Sequence, residues 1–258
     1  MTEEPRAIRH EIEVPGTPEQ VWQAIATGPG ISSWYVPHTL EERLGGSASA
    51  SFGEAPEMQV PGRVAAWEPP HRLVLESVEG EGGLAFEWLV EARGGACVVR
   101  LVNTGFQAGD EWDEQFDGMN EGWRLFLLNL RLHLEHFPGQ HASSALPMAM
   151  WAEPRPSAWS RLTQALGLPA QLRVGDRVEC AAPDAPNLGG VVAHIDAWWL
   201  ALVLDQPAPG TALVAVEGAH APVCVSVWSY LYGPDAAQLA ARDRARWQDW
   251  LDRHAPGA

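Results

Sequence analysis

The sequence predicts an α+β fold in which an antiparallel β-sheet is paired with one long C-terminal helix, followed by a second, truncated copy of the arrangement. Three observations carry this reading. Strand-like segments separated by turn signals run from about residue 38 to residue 106. One apolar stripe continues along residues 111–137. The order short helix, strands, final helix then recurs in shortened form after residue 156. The expected division is residues 1–140 as the first domain, 141–155 as a linker and 156–258 as a degenerate second domain.

Residues 7–14 alternate around Ile8, Ile12 and Val14 and read as a first strand. Thr17-Pro18-Glu19-Gln20 forms a capping box with proline at the first helical position. A short helix with Val21, Trp22 and Ile25 inward follows. Thr27-Gly28-Pro29-Gly30 breaks it, and a second helical piece is expected to carry Trp34. Gly45-Gly46 separates two short strands, the second holding Phe52. Residues 57–67, 71–77, 84–91 and 96–104 continue one meander, with turns at 80–83 and at Gly94-Gly95. In the third of these, Phe86, Trp88 and Val90 face one way, and Glu87 and Glu91 the other.

Asp110 is placed to cap the long helix, and Glu111, Asp113, Glu114 and Asp117 suit its N-terminal dipole. Phe116, Met119, Trp123, Leu127, Leu130, Leu134 and Phe137 recur every three or four residues, and Pro138-Gly139 stops the run. In the second half a short helix at 157–166 precedes strands at 172–181, 189–195, 198–205, 211–217 and 222–231. A last helix starts at Pro234. Gly62-Arg-Val-Ala-Ala-Trp67 is echoed 128 residues later by Gly190-Val-Val-Ala-His-Ile195. Cys97 and Trp123 find counterparts in Cys224 and Trp247. The second copy is about a dozen residues shorter ahead of its Gly-Val strand, which predicts a lost or reduced hairpin.

Composition excludes several functions. The chain has 258 residues, 33 acids against 17 bases and a net charge of -16, and every base is arginine. Such a surface repels a phosphate backbone and an anionic membrane, so neither nucleic acid nor membrane is expected as a partner. Without lysine there is no ε-amine for phosphate loops or Schiff bases. No G-x-S-x-G, G-x-G-x-x-G or H-E-x-x-H occurs. Three scattered cysteines form no C-x-x-C, and Met1-Thr-Glu-Glu-Pro-Arg6 carries no apolar leader, so a reduced, cytoplasmic protein is expected. His133, His136 and His141 fix no third ligand by spacing and read as a solvated helix end. No metal, cofactor or catalytic residue is assigned.

Several motifs together resemble the SRPBCC (START-like) superfamily, closest to the AHSA type named for activators of the heat-shock chaperone ATPase. They are Ile12-Glu-Val14 with the Thr17-Pro-Glu-Gln-Val-Trp22 cap, Trp34, Gly62-Arg-Val64, Glu68-Pro-Pro-His-Arg-Leu73, and Gly122-Trp123. The resemblance covers roughly 5–137 well and 156–254 weakly. It implies a helix-grip fold: a curved sheet around the long helix, with a cavity between them for a small hydrophobic or aromatic molecule.

The residues expected to line it are Trp34, Phe52, Phe86, Trp88, Phe116, Met119, Trp123 and Leu127; the same rings would equally serve as plain core. Two alternatives stay open. One is a polyketide cyclase or dehydratase using the cavity, for which His71, Glu76 and Arg100 are the candidates. The other is a chaperone-cofactor-like interaction module. Residues 1–140 carry 22 acids and 9 bases, and the remainder 11 and 8. The less charged half is the better docking surface, which leaves room for a homodimer.

Overall fold

The computed structural model describes residues 6–78, 83–107, 109–180 and 182–257. It divides into two units, Met1–His141 and Ala142–Ala258. The turn expected at 80–83 falls mostly outside the described residues, as does the Asp110 side chain.

In the first unit, β1 (Ile8–Pro15) leads to α1 (Pro18–Ile25) and α2 (Gly28–Ser32). Then come β2 (His38–Leu40), β3 (Ser47–Ser51), β4 (Gln59–Glu68), β5 (Arg72–Ser77), β6 (Ala85–Arg93), β7 (Ala96–Thr104) and α3 (Asp110–His136). The sheet order is β1-β7-β6-β5-β4-β3-β2, antiparallel where paired. The Thr17–Gln20 capping box forms as read.

Three local expectations are corrected. Gly28-Pro29-Gly30 is the first turn of α2, because the Thr27 hydroxyl accepts from the Gly30 amide (3.0 Å) and starts a new helix. Trp34 therefore lies just past α2. Phe52 falls one residue after β3. Gly109, at φ 131°, takes the cap position of α3, and Asp110 is the first helical residue.

Cross-strand register sorts the side chains into two faces. Ile8, Asn103, Phe86 and Leu75 share one row, and His10, Leu101, Trp88 and Leu73 the next. These face α3. The opposite face carries charge: Arg63 pairs with Glu76 (3.0 Å), Arg72 with Glu87 (2.7 Å), and Arg100 with Glu11 (2.7 Å) and Glu91 (2.9 Å). The sheet curls around the helix. Edge strand β1 reaches α3 through His10 and Asn120, central β6 through Trp88 and Trp123. From the far edge, Phe52 reaches it by way of Tyr35.

The second unit holds β8 (Ser143–Ala145), β9 (Met148–Trp151), α4 (Arg155–Ala165), β10 (Arg177–Glu179), β11 (Gly189–Ile195), β12 (Trp199–Gln206), β13 (Gly210–Glu217), β14 (Val223–Leu231) and α5 (Ala236–Arg253). Residues 143–151 are thus paired strands where a linker was expected. Both β8 and β9 bond to β14, which supplies the partners that their short, non-alternating sequences do not advertise. The order β10-β11-β12-β13-β14-β8, with β9 also on β14, repeats the first sheet without a counterpart of β2.

The repeat extends to an irregularity. The β4–β5 register slips between Val64 and Ala66, and the β11–β12 register between Val192 and His194, again 128 residues on. Val64 exchanges backbone bonds with the Gly45-Gly46 turn, and Val192 with Gly175-Asp176. The fold is α+β helix-grip, followed by a truncated second copy. The second copy's core is closed by Trp151, Leu162, Trp247 and Trp250, all buried.

Candidate functional site

The inner face of the first sheet alternates large apolar residues because strand period two sends every second side chain toward α3. Trp88 meets Trp34 (ring centroids 5.6 Å) and Trp123 (5.5 Å), and Phe86 meets Trp123 (5.8 Å). These edge-on contacts build one aromatic layer between sheet and helix. Trp34 is fixed at both ends. Its indole donates to the Ala24 carbonyl (2.9 Å), and its own carbonyl accepts from Asn129 Nδ2 (2.9 Å).

Of the other expected residues, Leu127 is buried and Met119 half-buried. Phe52 joins only through Tyr35 (6.0 Å). Phe116 lies apart from the layer, toward the N-terminal end of α3. It packs on Phe106 (4.9 Å) beneath the Arg6 guanidinium (3.8 Å).

Tyr35 is the hub that sequence reasoning missed. It touches Trp34, His38, Phe52, Trp123 (5.0 Å) and Phe126 (4.5 Å). It sits in a loop, where no periodicity marks a residue as inward. Helix α3 is unevenly covered: from Leu125 onward its inner face is fully buried, whereas Phe116, Met119 and Asn120 are only half-buried. The side of the layer nearest the start of α3 is therefore the less tightly sealed.

Three histidines of this unit have pKa values lowered chiefly by burial. His10 Nε2 lies 3.1 Å from the Asn120 carbonyl, and burial outweighs that contact in lowering its pKa. His38 Nδ1 donates to the Val36 carbonyl (2.8 Å), and desolvation lowers its pKa to about 4. His133, expected to be solvated, is buried, because it shares the inward helical face with Asn129, Leu130 and Phe137. Burial, reinforced by nearby His141, lowers its pKa to about 4. Both imidazoles are neutral at pH 7.

A pH dependence follows. An unfolded histidine takes up its proton near pH 6.5, whereas folded His38 and His133 resist until about pH 4. The unfolded state binds more protons between those limits, so stability is full above about pH 6.5 and is lost as pH falls toward 4. Urea midpoints at pH 7 and pH 5 should show the decrease, and His38→Gln with His133→Gln should flatten it. An unchanged slope in the double variant would contradict the assignment. Paired carboxylates such as Glu11 and Glu41, whose pKa values arginine and backbone bonds depress, lose their contribution only at lower pH.

Among the described residues no group of three or more His, Cys, Asp or Glu side chains could hold a metal ion. No helix among them is long and apolar enough to cross a membrane. In the second unit, a shallow groove along α4 is lined by Glu153, Pro156, Ser157, Ser160, Arg161 and Gln164, with Arg161 held by Glu153 (2.8 Å). It contains no aromatic ring.

Comparison with known proteins gives one family match. Residues 15–135 fit the model of the activator of Hsp90 ATPase homolog 1-like proteins. A search of curated proteins finds no match. Solved structures that resemble the chain include the Aha1 dimer from Colwellia psychrerythraea, at 19% identity over 50% of this chain and 96% of that one (TM-score 0.43). DynU16, described as a putative protein in the dynemicin biosynthetic locus, is 15% identical over 95% and 96% (0.45). The di-domain ARO/CYC BexL from the BE-7585A biosynthetic pathway is 15% identical over 98% and 99% (0.45). That family match lies on the helix-grip unit, so residues 15–135 are similar to the AHSA-type proteins of the SRPBCC superfamily.

Proposed function

We propose that the first unit binds a small hydrophobic or aromatic molecule between the concave face of its sheet and α3, with no reaction assigned. The observation that carries this reading is the aromatic layer of Trp34, Phe86, Trp88 and Trp123, which lies beside the half-covered start of α3. Flat rings offer a guest stacking surfaces at little entropic cost. The guest would enter past Phe116 and Met119 and rest on Phe86 and Trp123, with Phe52 at the far side and Leu127 beneath. The two units are proposed to descend from one duplicated module, which the shared strand order and the matching bulges support. The reading also places the protein in the reducing cytoplasm, in keeping with its three free cysteines.

The cyclase or dehydratase alternative draws no support from the residues first considered for it. Glu76 and Arg100 sit on the outer face in ion pairs, and His71 is exposed.

Thermal-shift screening of the whole chain against fatty acids, sterols and aromatic polyketides tests the proposal. A ligand at one hundred times its Kd should stabilise the protein by about 2.7 kcal/mol, a rise of several degrees in Tm. No shift with any class would remove the binding reading.

A further inference from the structure

One polar group on the inner face has an atom with nothing to bond. Asn103 ends the inward series Val99, Leu101, Asn103 on β7 and is fully buried. Its Nδ2 donates to the Ala85 carbonyl (3.1 Å), which fixes the orientation of the amide. The atom left over is therefore the acceptor, Oδ1, and it is buried without a partner. Such an atom costs free energy unless something donates to it.

Among the described residues none donates to it. Asn103 lies in register between Ile8 and Phe86, both apolar. Two polar groups on this face are already committed: His10 to the Asn120 carbonyl and the Ser77 hydroxyl to the Leu84 carbonyl (3.2 Å). Phe86, beside Asn103, is the ring that touches Trp123. Three residues beyond Asn103, Phe106 packs on Phe116, under the half-covered part of α3.

We propose that Asn103 Oδ1 reads the guest by accepting a hydrogen bond from a hydroxyl on an aromatic ring. This rests on the binding reading above and narrows it to a substrate class: neutral, planar, phenol-like molecules. An unpaired carbonyl oxygen repels a fatty-acid carboxylate and leaves a plain hydrocarbon with the acceptor still unsatisfied. It rewards a donor set in an otherwise apolar slot, where a missing partner discriminates strongly.

The test compares 1-naphthol, 1-methoxynaphthalene and naphthalene by quenching of tryptophan fluorescence in the whole chain. The ether keeps the oxygen and removes only the donor. Wild type should prefer naphthol over the ether by about tenfold or more. In Asn103→Leu the naphthol preference should vanish or reverse, because the hydroxyl would then be buried without an acceptor while the apolar walls remain.

Equal affinity of wild type for the three probes would overturn the inference and leave the binding reading standing, as when a resident water already serves Oδ1. A naphthol preference retained in Asn103→Leu would also overturn it. Failure of every probe to bind wild type would overturn the inference, and the thermal-shift screen would then decide the binding reading separately. If near-ultraviolet circular dichroism shows Asn103→Leu misfolded, the comparison of naphthol with its ether on wild type decides alone.

Discussion

Trp123→Ala is expected to destabilise the first unit by about 3–5 kcal/mol, the range for deleting a large buried ring. Trp123 is the point where helix and sheet meet through side chains. Its ring touches Tyr35, Phe86, Trp88 and Phe126, which come from a loop, from β6 and from α3 itself. Alanine would leave a cavity that the curved sheet cannot collapse into without breaking its ladder. Equilibrium urea unfolding followed at several wavelengths checks it. A loss below about 1 kcal/mol would mean that the ring is not packed as described.

Gly30→Ala is expected to cost about 3 kcal/mol or to prevent folding, although it adds one methyl group. A Cβ there would sit 2.0 Å from the Gln23 carbonyl oxygen and 2.6 Å from Thr27 Oγ1. The first contact is with backbone that cannot swing away. The second would push aside the hydroxyl that caps α2. The consequence reaches the aromatic layer, because the α1–α2 corner positions Trp34, whose indole is held by the Ala24 carbonyl. Gly118→Ala is the control: a Cβ there meets nothing within 4 Å, and a helical alanine should stabilise by about 0.5–1 kcal/mol. Thermal unfolding of the two variants should therefore move in opposite directions, and a neutral Gly30→Ala would contradict the tight corner.

The parts of the fold that obey a period were legible in the sequence. Alternation placed β6 and β7 and their inward rows, and the three-to-four spacing placed α3 to within a residue at each end. Even the bulge had a trace, in the glycine that precedes it in both copies, Gly62 and Gly190. What escaped was set by tertiary pairing. Strands β8 and β9 exist because β14 offers them an edge, and their Ser-, Ala- and Met-rich sequences carry no alternation of their own.

At the site, Trp34, Trp88 and Trp123 were readable as inward, whereas Tyr35 and His38 lie in or beside a loop whose course no pattern reports. Asn103 could have been found. It occupies the next inward position after Val99 and Leu101, and a polar residue in such a position asks what it bonds to.

The account turns on where a guest settles. Indole Nε1–H resonances in a two-dimensional NMR spectrum, recorded as 1-naphthol saturates the chain, measure this directly. Those of Trp88 and Trp123 should shift, with Trp34 following, while Trp151, Trp247 and Trp250 in the second core stay in place. Saturable binding that leaves Trp88 and Trp123 unmoved, or moves only the second set, would contradict a guest compartment between the first sheet and α3.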